Sequence, residues 1–295
     1  MERGGRTMVA RRTVLAALAG GALATAGVTA AWHGNAPLGE ALRHAVGVAG
    51  PVPAVKRAVV QVERVHSHHR GREVDLLTMV PPGVPTRDLP MSILLHGRFG
   101  SARQAHVGGM AEVLVSAVAR GQVPPFGFVA VDGGDHYWHE NVPGDDPMAM
   151  LLEEVPRWLA EGGYGAPFAC TGVSMGGFGA LLYARRRHER REPTSAIAVI
   201  APALLTDWAE MSKRNAFASP QDWASLDPLK NLDKLGSAPI GVWAGDRDTF
   251  ITGTRQFIAA AKPAVASIVP GGHNDTLYRK VIPDVIRFLG KRVPR

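Results

Sequence analysis

Cysteine is almost absent from the chain, because Cys170 is the only one among its 295 residues. A single cysteine excludes an intrachain disulfide, so the fold has to be stabilised by its hydrophobic core. Cys170 falls within a predicted buried strand, which indicates a core residue. No cysteine follows the N-terminal apolar segment, so a lipoprotein is not expected.

Aromatic residues are scarce, at 6% of the sequence, and they form no stripe interleaved with basic residues. The formal net charge of +7 is modest, and part of it comes from arginines within residues 1–30. The run Arg185-Arg186-Arg187 lies at the end of a predicted helix, where we expect it to face solvent. These observations predict no nucleic-acid partner.

A long apolar run is missing as well. The N-terminal stretch up to Val28 is short and rich in glycine for a membrane-spanning helix. The pair Arg11-Arg12 precedes this stretch, an arrangement that resembles a twin-arginine (Tat) export signal. Val28-Thr29-Ala30 offers small residues for cleavage. We expect export to the cell envelope or the medium, with membrane anchoring as the alternative if the signal is uncleaved.

The remaining sequence predicts one α/β domain. Residues 1–30 read as the signal, residues 31–56 as a leader rich in Ala, Gly and Pro, and residues 57–295 as the domain. Apolar strands alternate with helical segments, which favours a mostly parallel sheet flanked by helices. The sequence contains no long insertion of the kind that forms a large lid, so none is expected. Strands are predicted at 59–66, 73–80, 92–96, 126–131, 168–172, 195–200, 240–244 and 265–269, and helices at 102–120, 147–161, from 174, 252–261 and 275–289.

One glycine-rich motif predicts a nucleophilic serine. Residues 172–177 read Gly-Val-Ser-Met-Gly-Gly, directly after an apolar strand and before an apolar helix. A serine on a sharp strand-to-helix turn has strained backbone angles, and side chains two residues away would collide with the turn. Gly172 and Gly176 remove those collisions, so Ser174 is expected to stand above the sheet. The helix then aims its N-terminal amides at a developing oxyanion.

A serine hydroxyl needs a base within hydrogen-bond reach, and the base needs an acid to orient it. His273 lies in a Gly-rich loop after the last predicted strand, which makes it the candidate base. Asp246 and Asp248 both follow the strand at 240–244. Asp248 is the preferred acid, and Asp246 is the alternative, expected to shape the turn or pair with Arg247. The chain order Ser, Asp, His is that of α/β-hydrolases.

Two backbone amides are expected to form an oxyanion hole. The amide of Met175 directly follows the serine. The second amide should come from the turn at residues 96–100, where Arg98 is preferred and Phe99 is the alternative. His96 is expected to support this turn through hydrogen bonds and to lie beside bound substrate, without acting as a second base.

These motifs together resemble the Putative esterase family of α/β-hydrolases, which includes esterase D, feruloyl esterases and mycolyltransferase antigens. The likeness runs from about residue 59 to residue 290, and it includes Leu95-His96-Gly97 and the motifs around Ser174, Asp248 and His273. The segment at 132–138 looks like the aspartate and aromatic loop that borders the active site in such enzymes. Asp132, Tyr137 and Trp138 are therefore expected to line the substrate groove.

The resemblance implies an α/β-hydrolase fold and an exported serine carboxylesterase that cleaves esters or thioesters through an acyl-enzyme, without cofactor or metal. The substrate would be a small-molecule or lipid ester, and the cell envelope is a possible partner. Mycolyltransferases use Glu as the acid, whereas this chain offers Asp248. An acyltransferase acting on envelope sugars and a catalytically silent binding protein of the same fold stay open as alternatives.

Three further features of the sequence allow both a functional and a structural interpretation. The histidines at 66–69 could bind a metal, but no cysteine or paired carboxylate completes a site, so solvated side chains are favoured. The aspartates at 132, 135, 145 and 146 lack the regular alternation of a calcium loop. Trp208 and Trp223 could form a small cap over the site or ordinary packing, and the sequence favours neither.

Overall fold

The computed structural model describes residues 57–294 of the chain. The predicted export signal and leader, at residues 1–56, lie outside these residues. Within the described range, no helix has both the length and the apolar character needed to cross a bilayer.

The described residues form one eight-stranded sheet in the order β1-β2-β4-β3-β5-β6-β7-β8. The pairs β1–β2 and β2–β4 are antiparallel, and all later pairs are parallel. The strands are β1 (Val59–Ser67), β2 (Arg72–Val80), β3 (Met91–Leu95), β4 (Gly127–Val131), β5 (Pro167–Val173), β6 (Ala196–Ile200), β7 (Ile240–Gly245) and β8 (Val265–Val269).

Helices connect the parallel strands and cover both faces of the sheet. A π-helical turn at Met150–Glu154 leads into α2. The helices are α1 (Met110–Ala119), α2 (Val155–Glu161), α3 (Met175–Glu189), α4 (Trp208–Ser212), α5 (Pro220–Leu226), α6 (Ile251–Ala261) and α7 (Asp275–Gly290). This architecture confirms the predicted α/β-hydrolase fold.

The central strands are buried along their whole length, which explains their unbroken apolar sequences. Successive side chains point to opposite faces of the sheet, so the strands feed two separate hydrophobic cores. In β3, for example, Ile93 packs into one core and Leu94 into the other. The outer strand β8 instead alternates half-buried and exposed residues. The buried middle of the sheet gives a rigid base for the loops at its carboxyl edge.

One predicted helix is wrong in its extent. The sequence predicts a helix over 102–120, but the structure has two short 3-10 turns before α1 begins at Met110. Gly108 and Gly109 have φ values of 60° and 71°, which end regular helix. A Cβ at Gly108 would lie 2.7 Å from the backbone of Tyr278 and Arg279, so α7 requires glycine there.

Trp223 is packing rather than an exposed cap, because 2% of its surface is exposed. Its ring lies 6.1 Å from the ring of the half-buried Trp208, and both belong to the core beneath α4 and α5. Trp223 is therefore a core residue, and Trp208 packs against the same core.

A buried carboxylate at the end of α5 predicts a pH-dependent stability. Asp227 is 2% exposed, and burial raises its pKa to about 6 against the opposing effects of the Leu229 amide and Lys230. A carboxyl whose pKa is raised by folding favours the folded state while it is protonated. Its contribution is therefore complete below pH 4 and is lost as the pH rises through about 6.

At pH 8, the free energy of unfolding of Asp227→Asn is expected to be about 1–3 kcal/mol higher than that of wild type. At pH 4, the two free energies of unfolding should be nearly equal. The amide keeps a carbonyl oxygen for the Leu229 N–H, which lies 3.0 Å from the carboxylate. Urea denaturation at both pH values measures the difference. The exposed Asp233→Asn serves as the control. An equal effect of Asp227→Asn at both pH values would refute the assignment.

Candidate active site

Ser174 occupies the sharp turn between β5 and α3. Its φ of 57° and ψ of −120° lie in a region that residues with a Cβ rarely adopt. The surrounding backbone holds it there: its N–H donates to the Ile200 carbonyl at 3.0 Å, and its carbonyl accepts from the amides of Gly177 and Ala203, each at 2.9 Å. Hydrogen bonds to β6 and to the loop after it therefore hold Ser174 in this strained conformation.

The glycines around Ser174 are needed for close backbone contact. A Cβ at Gly172 would overlap the Gly176 carbonyl, and one at Gly176 would overlap the Leu95 carbonyl. At Gly97 a Cβ would lie 3.9 Å from Ser174 Oγ, so a larger side chain would occupy the space above the hydroxyl. The steric reasoning from the sequence pattern therefore holds in the structure.

Asp248 and His273 meet between the loops that follow β7 and β8. His273 Nδ1 donates to Asp248 Oδ2 at 2.8 Å, and the other carboxylate oxygen accepts from the Phe250 N–H at 2.8 Å. The Asp248 side chain is 1% exposed, whereas that of His273 is 23% exposed. This bond fixes the proton on Nδ1 and leaves Nε2 as a proton acceptor.

Two aromatic rings hold the imidazole of His273 on its edges. The ring of Phe250 lies 5.2 Å away and that of Tyr278 lies 6.0 Å away, both nearly perpendicular to it. Burial raises the pKa of the Tyr278 hydroxyl, so this neighbour stays uncharged at neutral pH. The histidine is therefore positioned by an anion and by two neutral rings.

Asp246, the alternative acid, is used elsewhere. Its Oδ1 accepts from the Gly271 N–H at 3.0 Å, and this hydrogen bond lowers the pKa of the carboxyl. Arg247 lies 3.6 Å from the same carboxylate. Asp246 thus braces the loop that carries His273, and of the two aspartates only Asp248 bonds to the histidine.

Ser174, Asp248 and His273 all follow the carboxyl ends of parallel strands, at one edge of the sheet. Among the described residues, however, no hydrogen bond joins Ser174 Oγ to His273. Such contacts are often long in free enzymes and shorten when substrate binds. Leu204, next to the Ala203 that holds Ser174, lines a cavity of about 190 Å³ together with Phe250, which packs on His273.

The turn at residues 96–100 distinguishes between the two candidate amides for the oxyanion hole. The Phe99 N–H donates to Asp135 Oδ1 at 2.6 Å, so this amide is already occupied. The Arg98 N–H takes part in no hydrogen bond of the described residues, and Met175 begins α3, where an amide has no partner within its helix. The structure therefore leaves Met175 and Arg98 with free N–H groups, which distinguishes Arg98 from Phe99.

His96 has both ring nitrogens engaged with the backbone. Nδ1 donates to the Gly97 carbonyl at 2.8 Å, and Nε2 accepts from the Gly133 N–H at 2.9 Å. Burial lowers the pKa of His96, which keeps it neutral. With 1% of its surface exposed, the residue supports the turn as expected, but its expected place beside bound substrate is at odds with its burial.

The expected substrate contacts of Tyr137 and Trp138 need correction, because they are 1% and 0% exposed. Both residues have positive φ values, 55° and 65°, which turn their rings into the core. The Trp138 ring fits against Gly133 and Gly179, where a Cβ would collide with it, and its Nε1 donates to the His96 carbonyl at 3.2 Å. These aromatics support the site from beneath and do not line a groove.

Asp132 is likewise a brace rather than a groove residue. Its two carboxylate oxygens accept from the amides of Ala102 at 2.8 Å and Asp75 at 2.9 Å. Its carbonyl accepts from the buried Arg70, at 2.5 Å. The carboxylate thus ties β2 and the segment before α1 to the end of β4, with no free oxygen for substrate.

The remaining aspartates and histidines also have structural partners. Asp145 pairs with Arg70 at 2.6 Å, and Asp146 accepts from the Ala149 N–H at 2.7 Å, at the start of a helix. His66 and His69 pair with Glu73 and Glu153 on the surface. Within residues 57–294, no group of three such side chains is arranged to hold a metal ion.

Two residues near the site have no signal in the sequence. Ala203 binds the Ser174 carbonyl through its amide, and Phe250 positions His273 through its ring edge. Each role arises only where separate loops meet at the sheet edge, so no motif marks it. By contrast, Ser174, Asp248 and His273 lie in motifs that are visible in the sequence, and all three follow strands that end at this edge.

The sequence matches the family described as Putative esterase over residues 67–267. No curated protein gives a significant match. A solved ferulic acid esterase superimposes with a TM-score of 0.67 at 17% identity, covering 80% of this chain and 99% of that one. An S-formylglutathione hydrolase from Agrobacterium tumefaciens superimposes with a TM-score of 0.65 at 17% identity, covering 80% of this chain and 96% of that one.

A fluorophosphonate-binding serine hydrolase F from Staphylococcus aureus gives a TM-score of 0.63 at 15% identity, covering 79% of this chain and 99% of that one. At these identities, the structural likeness supports the fold alone. The family match spans most of the described domain and includes the turn that carries Ser174 and the loop that carries Asp248. The chain therefore belongs to the Putative esterase family of α/β-hydrolases, a family of carboxylic-ester hydrolases.

Proposed function

We propose that the protein cleaves carboxylic esters or thioesters through a covalent acyl-enzyme on Ser174. The observation that carries this proposal is the 2.8 Å bond from His273 Nδ1 to the buried Asp248, at the sheet edge where Ser174 stands on its strained turn. An imidazole oriented by a buried carboxylate, at the same sheet edge as a serine on a strained turn, is the arrangement that nucleophilic acyl transfer uses.

His273 accepts the proton of the Ser174 hydroxyl at Nε2 while the serine oxygen attacks the ester carbonyl carbon. Asp248 stabilises the resulting imidazolium and keeps its ring in place. The imidazolium then gives the proton to the departing alcohol, which leaves the acyl group on Ser174. In the second half, His273 takes a proton from water while the water oxygen attacks the acyl carbon. The intermediate then collapses, which breaks the bond to Ser174 Oγ, releases the acid and returns the proton from His273 to the serine.

The amides of Met175 and Arg98 stabilise the oxyanion of the tetrahedral intermediate. Both N–H groups lack partners among the described residues, and a Cβ at Gly97 would lie 3.9 Å from Ser174 Oγ. Loss of one such donor typically costs about 10²–10³ in kcat, so preorganised amides supply a large part of the rate. No step in this sequence requires a cofactor.

The proposal is tested with the full chain and p-nitrophenyl acetate. We expect a burst of nitrophenolate approaching one equivalent per chain, followed by a slower steady state, because p-nitrophenolate is a good leaving group and acylation is therefore faster than deacylation. Mass spectrometry of the peptide that contains Ser174 should then locate the acetyl group. A folded protein with no burst, no turnover and no labelling by a fluorophosphonate would point instead to a silent binding protein.

A further inference from the structure

Two arginines lie together beside the candidate active site without an acidic partner. Arg98 Nη2 donates to the carbonyl of Arg214 at 3.0 Å, which holds the two residues side by side. Among the described residues, neither guanidinium forms an ion pair, although Arg70, Arg185 and Arg186 each pair with a carboxylate. A half-buried guanidinium without a counterion is unfavourable unless something else stabilises its charge.

Each of these arginines also has a buried nitrogen without a hydrogen-bond partner. Nε of Arg98 and Nε of Arg214 are both buried and unsatisfied in the described structure. The contacts that do exist are aromatic: Arg98 lies 4.3 Å from the ring centre of Phe99, and Arg214 lies 5.7 Å from that of Phe250. Aromatic faces orient a guanidinium but do not neutralise its charge.

The pair is close to both parts of the proposed catalytic machinery. Arg98 follows Gly97, where a Cβ would lie 3.9 Å from Ser174 Oγ. Arg214 packs on Phe250, whose ring contacts His273. Both arginines also lower the pKa of the Tyr137 hydroxyl against the larger effect of burial, so both act electrostatically on one buried group.

The nearby carboxylates are committed elsewhere. Asp207 and Glu210 line the same cavity as Arg214. Asp207 accepts from the Glu210 N–H at 2.9 Å, at the start of α4, and Glu210 pairs with Lys213. Asp135, next to the other arginine, accepts from the Phe99 amide. The positive charge of the arginine pair is therefore left to be matched by a ligand.

From this arrangement we propose that Arg98 and Arg214 bind a carboxylate group of the substrate, so that the preferred substrates are negatively charged esters. Guanidinium groups suit this task because their planar donors match the two oxygens of a carboxylate. The inference rests on the proposed ester hydrolysis and adds the charge class of the substrate. The carboxylate can belong to the acyl group or to the alcohol, and the two sources require separate substrates.

The test compares matched anionic and neutral esters with the full chain. The acyl pair is the p-nitrophenyl ester of glutaric acid and the same ester with its second carboxyl methylated. The alcohol pair is p-acetoxybenzoate and its methyl ester. We expect kcat/KM to be about tenfold or more higher for the anionic member of at least one pair, as charge-assisted hydrogen bonds allow. The pair that shows the preference identifies which side carries the carboxylate.

In Arg214→Gln, the ratio of kcat/KM for the anionic ester to kcat/KM for the neutral ester is expected to fall by about tenfold. Arg214→Lys should recover part of this ratio. A general loss of structure would lower both members of a pair and leave the ratio unchanged. Arg255→Gln, on the exposed surface of α6, removes the same charge and controls for long-range effects. A ratio of one or less in wild type, or a ratio unaffected by Arg214→Gln, overturns the inference while leaving ester hydrolysis intact. Absence of hydrolysis and of Ser174 labelling would instead refute the proposed function.

Discussion

Replacing Ser174 by alanine is expected to lower kcat/KM for p-nitrophenyl acetate by about 10³-fold or more and to abolish covalent labelling by a fluorophosphonate. The reason is chemical, because no other hydroxyl in the described structure stands on the turn between β5 and α3. Any residual rate would come from the amides of Met175 and Arg98 and from substrate binding. Initial rates and gel fluorescence of the labelled protein measure the two effects.

The variant should also keep its fold, because alanine retains the Cβ that the strained φ of 57° already accommodates. Ser101→Ala is a matched control, since this serine lies just after the turn at residues 96–100 and its hydroxyl makes only an exposed contact with Gln104 at 3.4 Å. The control should keep both activity and labelling. Unchanged hydrolysis in a folded Ser174→Ala protein would contradict the acyl-enzyme.

The parts of the site that the sequence predicted are those set by local sterics. The turn at Ser174 requires glycine on both sides, and this requirement is visible as residue spacing. Strand ends were predictable for a related reason: a strand buried on both faces is a continuous apolar run, and its carboxyl end is where it stops. The bounds of the buried strands β5, β6 and β7 lie within about two residues of their predictions.

The parts that failed depend on contacts distant in sequence. Trp138 looked like a groove residue, but its ring fills the space left by Gly179, 41 positions later in the chain. The orientation of an aromatic ring at a positive φ cannot be inferred from its neighbours. In the same way, Arg214 carries no motif, and its relation to Arg98 exists only because two loops converge on the carboxyl edge of the sheet.

The choice between Asp246 and Asp248 as the acid gives a prediction of comparable size to that for Ser174. Asp248 has two contacts that both need an acceptor: the His273 Nδ1–H and the Phe250 N–H, each at 2.8 Å. In Asp248→Asn, the side chain offers one acceptor oxygen and one donor NH₂. If the oxygen serves the Phe250 amide, the NH₂ faces His273 and forces its proton onto Nε2, which can then no longer accept from Ser174.

We therefore expect Asp248→Asn to lower kcat by about 10⁴-fold, the loss that the same exchange causes in a serine protease triad, with little change in KM. Asp246→Asn is the control, because its amide oxygen can still accept from the Gly271 N–H, and at most a few-fold loss is expected. Steady-state kinetics with p-nitrophenyl acetate separate the two variants. A larger loss in Asp246→Asn than in Asp248→Asn would mean that the loop after β7 rearranges on substrate binding and presents the other carboxylate. The two hydrogen bonds of the Asp248 carboxylate, to His273 Nδ1 and to the Phe250 N–H, argue against such a rearrangement, because both would have to break.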